Sequence, residues 1–298
     1  MDLQIGARAV VRAPATSANL GPGFDVAGLA LDLVDEVAVE VAADQIDVEV
    51  IGEGADSVPL DERHLVVATL QRTAADLGVA VPGLRLRASN RIPHGRGLGS
   101  SAAAIACGVL LARQLAGVDT SPESALPQAA ELEGHPDNVA ACLFGGFTLA
   151  WSEAGASRCI SLPVHEQIRA LALIPAVEVS TEVARALLPE TVPFETATAN
   201  VARASLLPIA MTVQPGLLFA ATADRLHQDA RADAYPESIA LVQRLRSAGH
   251  AAFISGAGPT VLVLGTGVGD LDAIAAAAPA GVATQVLSPA RGAVVAAV

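Results

Sequence analysis

The chain has 298 residues, 52% apolar and 16% charged, which excludes a disordered polyelectrolyte and suits one large or two ordinary domains with a substantial core. A formal charge of −13 and an aromatic content of 3% argue against a nucleic-acid or anionic-membrane binder. All 18 basic residues are Arg, so a Walker-A lysine, a Schiff-base lysine and a lysine general base are all excluded.

Strands are predicted over 8–12, 36–41 and 45–51, where apolar residues alternate with polar ones. A helix over 63–77 ends at Gly78, and a strand follows over 84–88. The next helix runs from about Ser100 to Ala116, with Ser100 and Ser101 where an N-cap belongs and Gly117 just past its end. Pro122 opens a helix over 121–132, and another starts near Pro136 and stops before Gly145-Gly146. Strands are read at 147–151 and 170–174. The second half, from about Ser157, carries helical patterns at 181–188, 196–212, 216–230 and 236–248. It closes with a strand at 251–255, a turn at 256–259, a strand at 260–264, a helix near 269–277 and strands at 283–288 and 293–297. Helices and strands mixed in this order predict a layered α+β protein. Cys107, Cys142 and Cys159 show neither CxxC nor zinc spacing, so a reduced, cytoplasmic chain is expected, with Cys107 a buried small apolar residue. Met1–Gln4 lacks a signal-peptide pattern, and the apolar runs near 102–112 and 271–278 are too short to span a bilayer.

Three stretches carry chemistry. In Pro93-His94-Gly95-Arg96-Gly97-Leu98-Gly99-Ser100-Ser101-Ala102, alternate glycines let the backbone turn tightly and approach a ligand. The helix that follows aims its free N–H groups and positive dipole end at that loop, a cradle for phosphate. The Ser hydroxyls can cap the helix, contact phosphate or ligate Mg²⁺. The string is neither a Walker A nor a Rossmann fingerprint nor a nucleophile elbow. A second polar loop holds Asn19 and Asp25 around Gly21-Pro22-Gly23; it suits a small polar ligand, or an Asx-turn at Asn19. The densest polar cluster is Glu133, His135, Asp137 and Asn138. With no second His and no Cys nearby, a hard cation on carboxylate oxygen fits it better than zinc; Asp137 and Asn138 can equally cap the next helix, and His135 can be a plain surface residue. Thr181 and Arg185 share a helix face, and Arg231 ends another helical stretch. Each arginine alone reads as a surface ion-pair residue, whereas two from separate elements can clamp a carboxylate. His165, His227 and His250 show no evident partners and are read as structural or surface residues.

The string Ile92–Ala103 resembles the ATP-binding signature of the GHMP kinases. Ala13–Gly28 and Glu133–Ala140, followed by Gly145-Gly146, resemble the opening and central motifs of the members that phosphorylate L-homoserine, and Ser255–Thr260 resembles the superfamily's third motif. The resemblance implies a two-domain GHMP kinase fold. Residues 1–157 would form a ribosomal-S5-domain-2-like half that binds ATP, and 158–298 a ferredoxin-like half that completes the substrate cleft. It implies Mg²⁺-dependent transfer of the ATP γ-phosphate to the hydroxyl of L-homoserine, in threonine biosynthesis, by a cytoplasmic and possible homodimeric enzyme.

By the same resemblance, Pro93 to Ala102 hold the nucleotide phosphates, and Ser101 and Glu133 are the Mg²⁺ ligands. Asn19 and Asp25 face the amino acid, Asp25 pairing with its ammonium. His135, Asp137 and Asn138 lie at the hydroxyl or substrate end, Arg185 and Arg231 bind the carboxylate, and Thr181 is a further substrate-binding residue. An amide cannot take a proton, so Asn138 would act by positioning, with charge neutralisation and the phosphate itself able to accept the proton. Departures from the family pattern are His64 where an Asn near adenine is common, Ala141 for a Pro, and Asp229-Ala230 before the last arginine for Pro-Tyr. Two other readings remain: a GHMP kinase of the mevalonate or diphosphocytidyl-methylerythritol type, and a non-catalytic ligand-binding relative.

Overall fold

The computed structural model describes residues 2–296; Met1, Ala297 and Val298, and with Ala297 the end of the strand expected at 293–297, lie outside the described residues. The chain opens with β1 (Arg8–Ala18), β2 (Ala27–Ala42) and β3 (Ile46–Gly52), then α1 (Leu65–Asp76) and β4 (Gly83–Asn90). Three helices follow, α2 (Ser100–Leu115), α3 (Pro122–Glu133) and α4 (Pro136–Phe144), and then a hairpin of β5 (Phe147–Glu153) and β6 (Ala156–Leu162). Alternation sets the faces of this sheet. Val37, Val39 and Val41 of β2 and Leu84 and Leu86 of β4 are buried on one face, while Arg8–Glu40 and Arg12–Glu36 pair across the other at 2.8 and 2.6 Å. The buried face is covered by the helices; Val66, Leu70, Ala106 and Leu110 belong to the same core as these strands.

The second half contains β7 (Arg169–Pro175), α5 (Thr181–Ala186), α6 (Phe194–Thr212), α7 (Leu218–Ala221), α8 (Pro236–Ser247), β8 (Ala251–Ile254), β9 (Val261–Gly265), α9 (Val268–Ala276), β10 (Val282–Leu287) and β11 (Val294–Ala296). Strands β10-β7-β9-β8 form an antiparallel sheet with ferredoxin-like βαββαβ connectivity. Here too alternation places the layers. Leu171 and Leu173 pack with Leu241, Leu245 and Leu271, whereas Ala170 and Ala172 belong to the core shared with Leu29 and Leu31 of the first half.

The sequence-level division at 157/158 falls inside β6, which pairs with β5 through Ser152↔Ser157 and Trp151↔Arg158. The chain also returns at its end, β11 pairing with β1 through Val11↔Val295. The stretch read as one helix over 216–230 is instead a 3-10 turn at Pro215–Leu217, the short α7 and, after an irregular segment, a 3-10 turn at Asp229–Ala234. Among the described residues no helix is long and apolar enough to cross a membrane.

Candidate active site

One cleft between the halves gathers Asn19, Asp25, Gly95, Gly97, Gly99, Ser100, Ser101, Glu133, His135, Asp137, Asn138, Thr181, Arg185 and Arg231, with Gly256, Ala257 and Gly258. Its floor is the glycine loop entering α2. The N-cap is Gly99, in a left-handed conformation at φ 74°, and not Ser100, which is the first helical residue; no side chain caps this end. Ala103 N–H reaches Gly99 O at 2.9 Å, so the N–H groups of Ser100, Ser101 and Ala102 have no intrahelical acceptor and are left for an anion. Glycine is the residue that fits at 99 without displacing a neighbour, since a Cβ there would collide with the Thr16 hydroxyl.

The loop is held from three sides. Thr16 N–H donates to Leu98 O (3.0 Å), Val179 N–H to Gly95 O (3.1 Å) and Thr260 N–H to Arg96 O (3.2 Å), while Ser255 Oγ lies 2.6 Å from Gly97 O. At its entry the buried Asp35 carboxylate accepts N–H from Arg91 (2.6 Å) and Ile92 (2.9 Å); burial nevertheless pushes its pKa up. Besides the glycines and His94, four residues of the string contribute no side chain to the cleft. Leu98 and Ala102 are fully buried in the core, Pro93 lines neither of the two cavities at the loop, and Arg96 turns away to donate to Pro175 O and pair with Glu178, both at 2.9 Å. Whatever they give a ligand is backbone. His94 lines the adjoining cavity instead. That cavity shares Ser100 and Ser101 with the cleft and is walled by Val58, Pro59, His64 and Leu65. His64 is buried, its Nδ1 has no hydrogen-bond partner among the described residues, and burial lowers its pKa.

The end of α3 and start of α4 bring the acidic cluster to the helix terminus. Ser101 Oγ donates to Glu133 Oε2 at 2.8 Å; burial raises the Glu133 pKa, and this hydrogen bond works against the rise. Asp137, 2% exposed, accepts from its neighbour's backbone (Asn138 N–H, 2.8 Å) and sits 2.7 Å from His135 Nδ1, raising the His135 pKa. Asn138 Oδ1 accepts from the Thr16 hydroxyl at 2.8 Å. Thr16 is thus a hinge between glycine loop and polar cluster that sequence reading missed.

At the far end Asn19 ties two loops together, donating to Gly256 O (2.9 Å) and accepting Asp25 N–H (3.0 Å). The Asx-turn considered for Asn19 is not what forms: its side chain reaches six residues on to Asp25 and across to Gly256, while lining the cleft wall. Asn19, Leu20 and Asp25 all have positive φ, strain that fixes where the Asp25 carboxylate points. Arg185 holds that carboxylate in a two-point pair at 2.6 and 3.1 Å, which raises the Arg185 pKa. Thr181, one turn before Arg185, opens on the same cleft. Arg231 is 2% exposed, far from the surface residue it resembled in the sequence, and among the described residues no carboxylate pairs with it. Its Nε donates to Ala184 O at 3.1 Å, and both guanidiniums lie over the Phe24 ring, at 5.6 Å for Arg185 and 5.2 Å for Arg231. His227 is buried against the same ring, correcting its reading as partnerless.

An anion-receiving helix terminus, the half-buried Glu133 carboxylate beside it and a charged pocket facing both make a phosphoryl-transfer cleft. The GHMP kinases N terminal domain matches residues 64–146, and the GHMP kinases C terminal matches residues 214–283. The chain belongs to the GHMP kinase family and has its two-domain α+β fold; it is an ATP-dependent kinase. It is 55% identical over 258 residues to homoserine kinase of Streptomyces avermitilis, covering 85% of this chain and 84% of that one. It is 52% identical over 270 residues to homoserine kinase of Clavibacter michiganensis, covering 90% and 85%. The crystal structure of homoserine kinase from Cytophaga hutchinsonii superposes with a TM-score of 0.85 at 30% identity, covering 98% of both chains. Within the family, its place is among the homoserine kinases.

Proposed function

We propose that the enzyme transfers the γ-phosphoryl group of ATP to the side-chain hydroxyl of L-homoserine, giving O-phospho-L-homoserine for threonine biosynthesis. One observation carries this reading: a single cleft sets an anion-receiving helix end opposite both a carboxylate, Asp25, and two guanidiniums, Arg185 and Arg231. That charge pattern complements a zwitterion. Without substrate, Asp25 and Arg185 satisfy each other; a bound amino acid inserts its ammonium at Asp25 and its carboxylate at Arg185 and Arg231. A buried guanidinium without a carboxylate is costly, so Arg231 favours an anionic ligand.

The N–H groups of Ser100, Ser101 and Ala102 then receive the nucleotide phosphates, and the adjoining cavity at His64 and His94 takes the nucleoside. Asn138 Oδ1 is engaged by Thr16, which leaves its amide N–H groups to orient the acceptor hydroxyl. That hydroxyl attacks the γ-phosphorus in line, the bond from the γ-phosphorus to the β-phosphate oxygen breaks and ADP leaves, and the hydroxyl proton passes to an oxygen of the transferred phosphoryl group, a loose transition state placing little demand on a base. Ser101 and Glu133 are hard oxygen donors at the helix end, and among the described residues no cluster of three or more His, Cys, Asp or Glu forms a protein cage. Mg²⁺, which takes one or two carboxylates and completes its shell with water and phosphate, fits that donor set. Bound there, it would neutralise charge on the phosphates. Family membership is also the ground for reading the enzyme as cytoplasmic and as a homodimer; sedimentation velocity checks the dimer. ADP release measured with L-homoserine, mevalonate and galactose tests the acceptor: turnover is expected with L-homoserine alone, and equal turnover with mevalonate would overturn the reading.

A further inference from the structure

Arg231 is buried and, among the described residues, has no acidic partner, so something else must fix the direction of its fork. Two contacts do so: Nε donates to Ala184 O at 3.1 Å, and Nη1 lies 3.3 Å from His227 Nδ1. The other nitrogen of that imidazole, Nε2, lies 2.8 Å from Gly21 O. A carbonyl oxygen only accepts, so Nε2 must carry the hydrogen. A neutral imidazole has one N–H, so Nδ1 is then a lone pair facing a guanidinium N–H. The two contacts thus agree on one tautomer and one direction for each hydrogen bond.

We propose that His227 is a positioning residue for the substrate carboxylate: docked on the Gly21 carbonyl as the Nε2–H tautomer, it presents Nδ1 as the acceptor that holds Arg231 in the cleft. The inference rests on the reading of Arg231 as a carboxylate-binding residue. The surroundings of the ring enforce the neutral form. His227 is 1% exposed and stacks on Phe24, with centroids 4.9 Å apart. The charged groups around it are Asp224, 3.7 Å from Nε2, and Arg231 and Asp25 at the cleft end, while Arg185 and Tyr235 face Arg231. Asp224 is largely occupied, accepting the N–H groups of Leu226, His227 and Gln228 at 3.0, 3.0 and 2.8 Å. Burial lowers the His227 pKa despite that carboxylate. The Gly21 carbonyl belongs to the Asn19–Asp25 loop, so one imidazole registers the loop that holds Asp25 against the element that holds Arg231. These are the groups that would take the two ends of an amino acid.

Two isosteric variants separate this role from mere packing. In His227→Asn the side-chain oxygen can replace Nδ1 as acceptor for Arg231; in His227→Gln the amide N–H can replace Nε2–H on Gly21, but the longer side chain places no acceptor at the Nδ1 position. His227→Gln is expected to raise KM for L-homoserine about tenfold or more, the scale of a hydrogen bond to a charged group, and His227→Asn much less, with KM for ATP unchanged in both. Equal effects of the two variants, or a matching rise in KM for ATP, would overturn the proposal. Arg231→Gln serves as the check on the underlying reading: if it leaves KM for L-homoserine unchanged, the carboxylate assignment has failed, whereas a large rise there with no response to His227→Gln defeats the His227 role alone. A measurement on the unaltered enzyme covers the case in which a variant does not fold. Imidazole ¹⁵N shifts at pH 7.5 should show His227 as the Nε2–H tautomer, and a Nδ1–H tautomer or an imidazolium would overturn the proposal.

Discussion

Replacing Gly99 with Ala tests the phosphate cradle at its tightest point. Two separate costs follow from the geometry. An L-residue at φ 74° and ψ 28° is in the left-handed region, costing about 1–2 kcal/mol. The new Cβ also collides with Thr16 Oγ, so that hydroxyl must rotate away and release Asn138, losing about 0.5–1.5 kcal/mol more. Together these lower stability by about 1.5–3.5 kcal/mol, a fall in Tm of roughly 2–6 °C for a chain of this length. The functional cost is larger, because displacing a positioned loop or amide by ~1 Å costs on the order of 100-fold in kcat/KM for ATP. Gly117→Ala is the matched control. Gly117 also has a positive φ, 67°, but no atom lies within 4 Å of the added Cβ. It should lose stability through the backbone conformation alone and keep full activity. Calorimetric unfolding and steady-state ATP turnover read both quantities. A Gly99→Ala enzyme with unaltered kcat/KM would refute the reasoning, whatever its Tm.

Glu133→Gln preserves the shape and an acceptor for Ser101 but deletes the charge, so kcat should fall by about 10²–10³ with Tm unchanged, and wild-type turnover should be lost on chelation of Mg²⁺ and return when it is added back. Asp25→Asn frees Arg185 from its intramolecular partner, so KM should rise at least about tenfold for L-homoserine yet stay level or fall for 4-hydroxybutyrate, which lacks the ammonium. Burial lowers the pKa of His64 and His227 below the ordinary value of 6.5, so the unfolded chain takes up protons that these two folded sites resist. Their contribution to stability is complete above the ordinary histidine range and declines as pH falls through it; Tm measured from about pH 7.5 to 5.5 should drop less steeply in His227→Asn than in wild type.

Much of this site is legible in the sequence because its parts are local. The glycine loop, the His-Pro-Asp-Asn turn and the helices they start are each specified by neighbouring residues, and α2, α3 and α4 begin within a residue of their expected positions. Long-range partners were not legible: Thr16 reaches Asn138 across 122 positions, and Asn19 reaches Gly256 across 237. The helix read over 216–230 shows where local pattern misleads. The Asp224 side chain accepts three successive backbone N–H groups beyond it, and this local competition turns the chain where apolar spacing suggested continuation. Strand β6 was missed for a related reason. Its hairpin turn uses Ala154 at φ 50° before Gly155 at φ 81°, a turn geometry usually announced by Asn-Gly or Asp-Gly. His227 and Arg231 look like surface residues because the charges and rings around them come from the Asn19–Asp25 loop, some 200 positions earlier, a separation that hydropathy cannot register.

The most direct measurement is a crystal structure with a non-hydrolysable ATP analogue, Mg²⁺ and L-homoserine bound together. The triphosphate should rest on the amides of Ser100, Ser101 and Ala102, with the amino acid spanning Asp25 and the two arginines and its hydroxyl turned toward Asn138. An Asp25–Arg185 pair still intact beside bound L-homoserine, or phosphates lodged away from the start of α2, would contradict it.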